Sequence, residues 1–158
     1  MFLLLLIVSA FFAAIFPLMV IFFMVKRGVI LDVYASERRT RTKPFLVAIT
    51  SYLLGIIILT ILGAPQSLVA LMACYFVNSL VMVAISQVWK ISIHASGITG
   101  PATFLVHQLG LWMLPFFALI FPVGWARVKL GAHDLSQLAA GALLTIGLTL
   151  VQLEIYLK

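Results

Sequence analysis

Three polar clusters interrupt an otherwise apolar sequence, and their side chains suit phosphate chemistry. They occupy residues 37–44, 90–94 and 125–137 and hold two histidines among several lysines and arginines. Cations can neutralise the nonbridging oxygens of a phosphate as charge shifts in the transition state. One imidazole can attack phosphorus, and a second can protonate the leaving oxygen. If the clusters converge at a membrane surface, they predict a site that displaces a phosphate ester.

The spacing inside these clusters resembles that of the type 2 phosphatidic acid phosphatases, whose three motifs are K-x6-R-P, P-S-G-H and S-R-x5-H-x3-D. Arg127 and His133 reproduce the R-x5-H spacing of the third motif, and Ser92 and His94 match the S-G-H of the second. Lys43, followed by Pro44, resembles the end of the first. The resemblance extends over roughly residues 36–141, through a few positions in each motif. It implies a phosphatase that forms a phosphohistidine and uses no metal or cofactor.

The resemblance also implies a role for each matching residue. His133 takes the place of the nucleophile, and His94 takes that of the general acid. Gln137 completes the catalytic set, in the position of the residue that orients the nucleophilic histidine. The candidate phosphate-binding residues are Arg127, Lys43, Arg41, Lys90 and Ser92.

The sequence departs from the family pattern at several positions, of which 137 matters most. Ile91, Ile93 and Ala126 replace the Pro, Gly and Ser of the motifs, and Ser36 stands where the first-motif Lys would fall. Gln137 replaces an Asp, and on a helix it shares a face with His133 at i and i+4. Its carbonyl can accept the imidazole N–H and select the tautomer, but it carries no negative charge to stabilise an imidazolium.

Composition predicts an integral membrane protein. Hydrophobic residues make up 65% of the chain, charged residues 9%, and the mean hydropathy is +1.26. Soluble domains carry roughly 25% charged residues. We therefore expect an all-α, polytopic transmembrane bundle in the cell membrane, with residues 1–158 as a single domain. The net charge is +6, and most of the basic residues lie between apolar segments. Anionic lipid headgroups are therefore more natural partners than nucleic acid.

Six spans are predicted, at residues 1–25, 45–62, 67–88, about 95–109, about 111–123 and about 133–157. The first lacks the basic start and the cleavage site of a secretory signal and is interpreted as a retained span. Residues 91–127 could instead form one span, which would separate His94 from His133. With six spans the polar clusters share one face. The positive-inside rule assigns that face to the cytoplasm, whereas many bacterial relatives of the resembled family act on the outer face.

The predicted function is hydrolysis of a phosphomonoester or pyrophosphate on a lipid or isoprenoid carrier. One alternative is a non-catalytic lipid-binding or assembly protein, favoured by Gln137. Another is a small transporter subunit, although Glu154 is the one carboxylate well inside an apolar run. A metal site from His94, His133 and Asp134 lacks distinctive ligand spacing. His107 belongs to no motif and is interpreted as an interhelical hydrogen-bond partner. The lipid and the oligomeric state stay open.

Overall fold

The computed structural model describes residues 1–30 and 42–158, and these are helical apart from short connections. The α-helices of this described part are α1 (Phe2–Ala10), α2 (Phe16–Lys26), α3 (Thr42–Ile61), α4 (Gln66–Val88), α5 (Ile93–Leu109), α6 (Ile120–Lys129) and α7 (Leu135–Tyr156). A π-helical turn, Phe11–Ile15, joins α1 to α2, and a 3-10 segment, Leu111–Leu119, precedes α6. The predicted all-α membrane bundle is confirmed.

Within residues 1–30 and 42–158, five helical stretches are long and apolar enough to cross a bilayer, so the chain is an integral membrane protein. They are Leu3–Lys26, Thr42–Ile61, Gln66–Val88, Leu111–Lys129 and Leu135–Tyr156. With 17 residues, α5 is at the lower limit of a membrane span. The count of six spans therefore stays a prediction.

Internal contacts divide the chain into two compact units, residues 1–83 and 84–158. The first unit has a core of Leu5, Leu59 and Met72, contributed by α1, α3 and α4. Its π-helical turn comes just before Pro17. Proline has no backbone N–H to donate, and its ring crowds the preceding turn of the helix. The hydroxyl of Ser51 on α3 donates to the Phe12 carbonyl at 2.6 Å and so satisfies an acceptor in the π-helical turn.

In the second unit the chain reverses at Gly110, which has a φ of +104° and so needs glycine. The 3-10 segment and α6 then return along α5, against which both pack. Two helices folded back near Gly110 were predicted, and the reversal is found there. Because α5 runs away from the polar clusters and α6 runs back, the start of α5 and the end of α6 lie at one end of this unit.

Helices α5 and α7 run parallel and are joined by hydrogen bonds along their length. The Ser92 N–H, just before α5, donates to the Gln137 carbonyl at 3.2 Å. Further along, the Thr145 hydroxyl donates to the Ser96 hydroxyl at 2.7 Å. At the far end, His107 Nε2 lies 3.6 Å from a Glu154 carboxylate oxygen. The contact is interhelical, as predicted for His107, but 3.6 Å is longer than a hydrogen bond, so the predicted hydrogen bond stays a prediction.

The boundaries of the helices differ from the predicted ones where capping residues extend or shorten them. The fifth segment was predicted to end near Val123, yet α6 continues to Lys129 and so places Arg127 in its last turn. The fourth begins at Ile93, because Ser92 caps it, so His94 lies in the first helical turn. The last was predicted from His133 but begins at Leu135, because Asp134 caps it.

Candidate functional site

The turn between α6 and α7 sets the spacing of Arg127 and His133. It is a Schellman motif, in which the Gly131 N–H donates to the Val128 carbonyl and the Ala132 N–H to the Arg127 carbonyl, both at 2.9 Å. Gly131 has the φ of +62° that this cap requires. The His133 N–H also donates to the Arg127 carbonyl, at 3.3 Å. The five residues between Arg127 and His133 thus form this capped helix end, and both side chains are buried.

The imidazole of His133 is held by Gln137, one helical turn further on. His133 Nδ1 lies 2.9 Å from Gln137 Oε1. A carbonyl oxygen can only accept, so Nδ1 carries the proton and Nε2 carries the lone pair of the neutral ring. His133 is 6% exposed, which limits the orientations open to the ring. The bond predicted between Gln137 and His133 is present.

Asp134 has a second function besides capping α7. One carboxylate oxygen accepts from the Gln137 backbone N–H at 2.8 Å and from the Ser136 hydroxyl at 2.6 Å. The other accepts from the Gln137 side-chain amide at 2.9 Å. The hydrogen bond from Ser136, followed by that from the Gln137 backbone, lowers the pKa of Asp134 below its usual value. A carboxylate therefore lies one hydrogen bond beyond the amide that holds His133.

The second cluster is anchored to the third through the backbone of Ser92. Ser92 is fully buried, and besides its bond to the Gln137 carbonyl its hydroxyl accepts from the Ala95 N–H at 3.3 Å. Ala95 packs with Leu138 and Ala142 on α7. These contacts on either side of His94 bring its segment to the start of α7. The hydroxyl of Ser92 acts as a helix cap here, and its role as a phosphate ligand stays a prediction.

Gly141 allows this close approach. A Cβ built on Gly141 would overlap the carbonyl oxygen of Ser92, and its next neighbours are also Ser92 backbone atoms. Backbone cannot move aside as a flexible side chain can, so position 141 admits no larger residue without displacing the Ser92 loop. Gly97 on α5 makes no such contact, because a Cβ there would meet nothing within 4 Å.

An apolar groove lies between α6 and α7, next to the turn that holds Arg127 and His133. Its volume is about 550 Å³, and the residues that line it are Ile120, Phe121, Gly124, Trp125, Val128, Leu135, Leu138 and Ala139. The ammonium of Lys129 lies 5.6 Å from the centre of the Trp125 ring. The groove therefore has an apolar body and a cation beside one of its lining rings.

The cationic residues predicted to bind phosphate are divided between the two units. Arg127 is buried and Lys90 half-buried in the second unit, at the end where His94 and His133 lie. Lys43 is exposed in the first turn of α3, in the first unit. Arg41 lies outside the described residues. The second and third clusters are thus brought together, and a contribution from the first cluster stays a prediction.

Asp134 is the residue that sequence reasoning undervalued. The sequence predicts Asp134 only as a possible metal ligand, although Asp is also a common capping residue at the start of a helix. Among residues 1–30 and 42–158, no group of three or more His, Cys, Asp or Glu side chains is placed to hold a metal ion. Comparisons with family models, curated proteins and solved structures gave no match for this chain.

Proposed function

We propose that this membrane protein hydrolyses a phosphomonoester or pyrophosphate carried by a lipid or isoprenoid. The observation that carries the proposal is the oriented His133, whose Nδ1–H is bound to Gln137 so that Nε2 holds the lone pair. With Nδ1 protonated, Nε2 of the neutral ring is the nitrogen able to act as a nucleophile. The resemblance of the R-x5-H spacing to a phosphatase motif supports the same role.

In the proposed reaction, His133 Nε2 attacks the terminal phosphorus and forms a P–N bond, while the bond from that phosphorus to the oxygen of the leaving lipid alcohol or lipid phosphate breaks. His94 gives a proton to the departing oxygen, which leaves as an alcohol or a phosphate. Water then attacks phosphorus and passes a proton to His94. The P–N bond breaks, its electrons return to Nε2, and inorganic phosphate is released. Arg127 and Lys90 neutralise the phosphoryl oxygens during both steps.

The groove between α6 and α7 supports a lipid rather than a water-soluble substrate. Its lining is apolar, and it lies beside the turn that holds Arg127 and His133. A chain lying in the groove would keep its tail in the hydrocarbon layer while the phosphate reaches the cations. This arrangement explains why phosphate chemistry would be placed at the surface of a membrane bundle.

The test is phosphate release by the purified protein in detergent, from a panel of lipid phosphates and isoprenyl pyrophosphates. We expect His133→Ala to lower the rate by about 1,000-fold or more, since no nucleophile remains. His107→Ala is the matched control, because His107 lies at the opposite end of α5, and it should leave the rate near wild type. An absence of release from folded wild-type protein across the panel would contradict the proposal and favour a non-catalytic lipid-binding role.

The groove can be tested in the same assay. Ala139→Phe places a ring in the groove, so kcat/KM for a long-chain lipid phosphate should fall by about 10-fold, the scale of one poorly accommodated apolar group. A short-chain phosphomonoester should be hydrolysed at the wild-type rate. Equal losses for both substrates would show that the groove does not hold the tail.

A further inference from the structure

The side-chain amide of Gln137 has a defined orientation, because one end faces a carboxylate that accepts hydrogen bonds and the other faces a ring nitrogen of His133. One end lies 2.9 Å from an Asp134 carboxylate oxygen, which can only accept a hydrogen bond. The amide nitrogen must therefore face Asp134, and the amide oxygen must face His133. The reverse orientation would set the amide oxygen against the carboxylate. In the observed orientation the amide oxygen accepts a hydrogen bond from Nδ1 of His133.

We propose that Asp134 is a positioning residue for His133 and acts through the Gln137 amide as a hydrogen-bond relay. The catalytic consequence rests on the phosphatase function proposed above, whereas the effect on the His133 ring does not. In this arrangement Gln137 is a connector and not the end of the chain of hydrogen bonds. The missing carboxylate at position 137 is replaced by one that lies a single hydrogen bond further away.

The carboxylate is well suited to this role because its other oxygen is already held. That oxygen caps α7 through the Gln137 N–H and also accepts from the Ser136 hydroxyl. The plane of the carboxylate is thereby fixed, which directs the remaining oxygen at the Gln137 amide. The same capping bonds keep the pKa of Asp134 low, so that it is ionised at neutral pH.

The relay matters most when the ring becomes positive. A phosphoryl group on Nε2, with Nδ1 still protonated, leaves the imidazole cationic. The aligned amide dipole and the carboxylate behind it stabilise that charge, less strongly than a directly bonded carboxylate would. Other charged or titratable groups at this end of the unit are Lys90 in the loop before α5, His94 in the first turn of α5, and Arg127 and Lys129 on α6. Asp134 is the acidic group among them.

The test uses Asp134→Asn, which retains the helix cap because Asn caps as well as Asp. The Asn oxygen is held by the backbone N–H of Gln137, so its NH2 group takes the place of the second carboxylate oxygen. We expect the Gln137 amide to turn over and the proton of His133 to move to Nε2. Nitrogen-15 spectra of the histidine rings would report the tautomer directly, since the chain has three histidines and His133→Ala identifies the signal.

A double-mutant cycle separates the relay from direct attraction between neighbouring residues. Gln137→Met is similar in length and removes the amide, so adding Asp134→Asn should then change neither the tautomer nor the rate further. Ser136→Ala is the control that leaves the Asp134 charge in place, and it should keep the wild-type tautomer. In wild-type background, Asp134→Asn should lower kcat by about 10-fold to 100-fold with little change in KM.

Two outcomes would overturn the relay. One is an unchanged tautomer in Asp134→Asn, and the other is an equal effect of Asp134→Asn with and without Gln137. Thermal unfolding of each variant would identify any loss of fold. The relay also requires that Gln137→Met alone disturbs the tautomer of His133. If the wild type hydrolyses no substrate, the proposed function fails, yet the ring spectra still decide whether Asp134 controls His133.

Discussion

At the scale of single residues, the arrangement of His133, Gln137 and Asp134 combines two tasks. The same carboxylate that caps α7 also orients the amide bound to the imidazole. Helix capping is usually a matter of local stability. Here it also fixes the position of a side chain proposed to do chemistry, so a change at Asp134 should affect both folding and the site.

The effect on folding has a predictable pH dependence. The folded-state pKa of Asp134 is lowered by its bonds to Ser136 and the Gln137 backbone. Its contribution to stability is therefore present above the unfolded-state pKa of about 3.9 and is lost as the pH falls through the folded value. We expect the wild type to melt at a higher temperature than Asp134→Asn. The difference should be constant above about pH 5 and should shrink below about pH 4. A difference that stays the same down to acid unfolding would contradict this.

At the scale of the helices, the site depends on how closely the Ser92 loop approaches α7. The Ser92 backbone occupies the space that a side chain at Gly141 would need, and its N–H bonds to the Gln137 carbonyl. Threonine and serine hydroxyls then join α5 to α7 further along. The helix start that contains His94 is thus held against the helix start that orients His133.

Gly141→Ala should therefore disturb the site from a distance. The added Cβ overlaps backbone and not a flexible side chain, so we expect a loss of about 1–3 kcal/mol in stability and a lower rate of hydrolysis. Gly147→Ala is the matched control on the same helix, because a Cβ there meets nothing within 4 Å. It should be neutral or slightly stabilising, since Ala favours helix. Melting temperature and phosphate release measured on both variants would check this, and equal effects would contradict it.

At the scale of the whole molecule, topology determines whether the proposed site can exist. In the second unit, Lys90, Arg127 and Lys129 lie at the end where α5 begins and α6 finishes. If α5 crosses the bilayer, the loop before it and the turn after α6 share one membrane face. If α5 does not cross, the loop before it and the turn after α6 lie on opposite faces. The hydrogen bond between Ser92, just before α5, and Gln137, at the start of α7, would then have to form across the bilayer.

Cysteine labelling in sealed vesicles would decide the topology. We expect Trp89→Cys and Leu130→Cys to react from the same side, and Leu111→Cys from the other, in a Cys74→Ala background. All three native side chains are exposed, whereas Cys74 is buried. The positive-inside rule predicts the cytoplasmic side for the first pair. Reaction of Trp89→Cys from the side of Leu111→Cys would show five spans and contradict the proposed site.

The sequence by itself determined the class of structure and the candidate side chains. Apolar segments of about 20 residues with few charges must form helices in a bilayer, because lipid offers no partner for free backbone groups. The reversal near Gly110 and the pairing of His133 with Gln137 followed from residue types and from helical spacing. Such features depend on neighbours in the chain, which a sequence displays directly.

The tertiary structure alone decided how those side chains are connected. The contact between Ser92 and Gly141, the groove between α6 and α7, and the bond from Ser92 to Gln137 join segments distant in sequence. The role of Asp134 was also hidden, although it is only three residues from Gln137, because an Asp at a helix start can cap, bind or face solvent. The structure shows that Asp134 both caps the helix and binds the Gln137 amide, which can lie between Asp134 and His133 in only one arrangement of donor and acceptor.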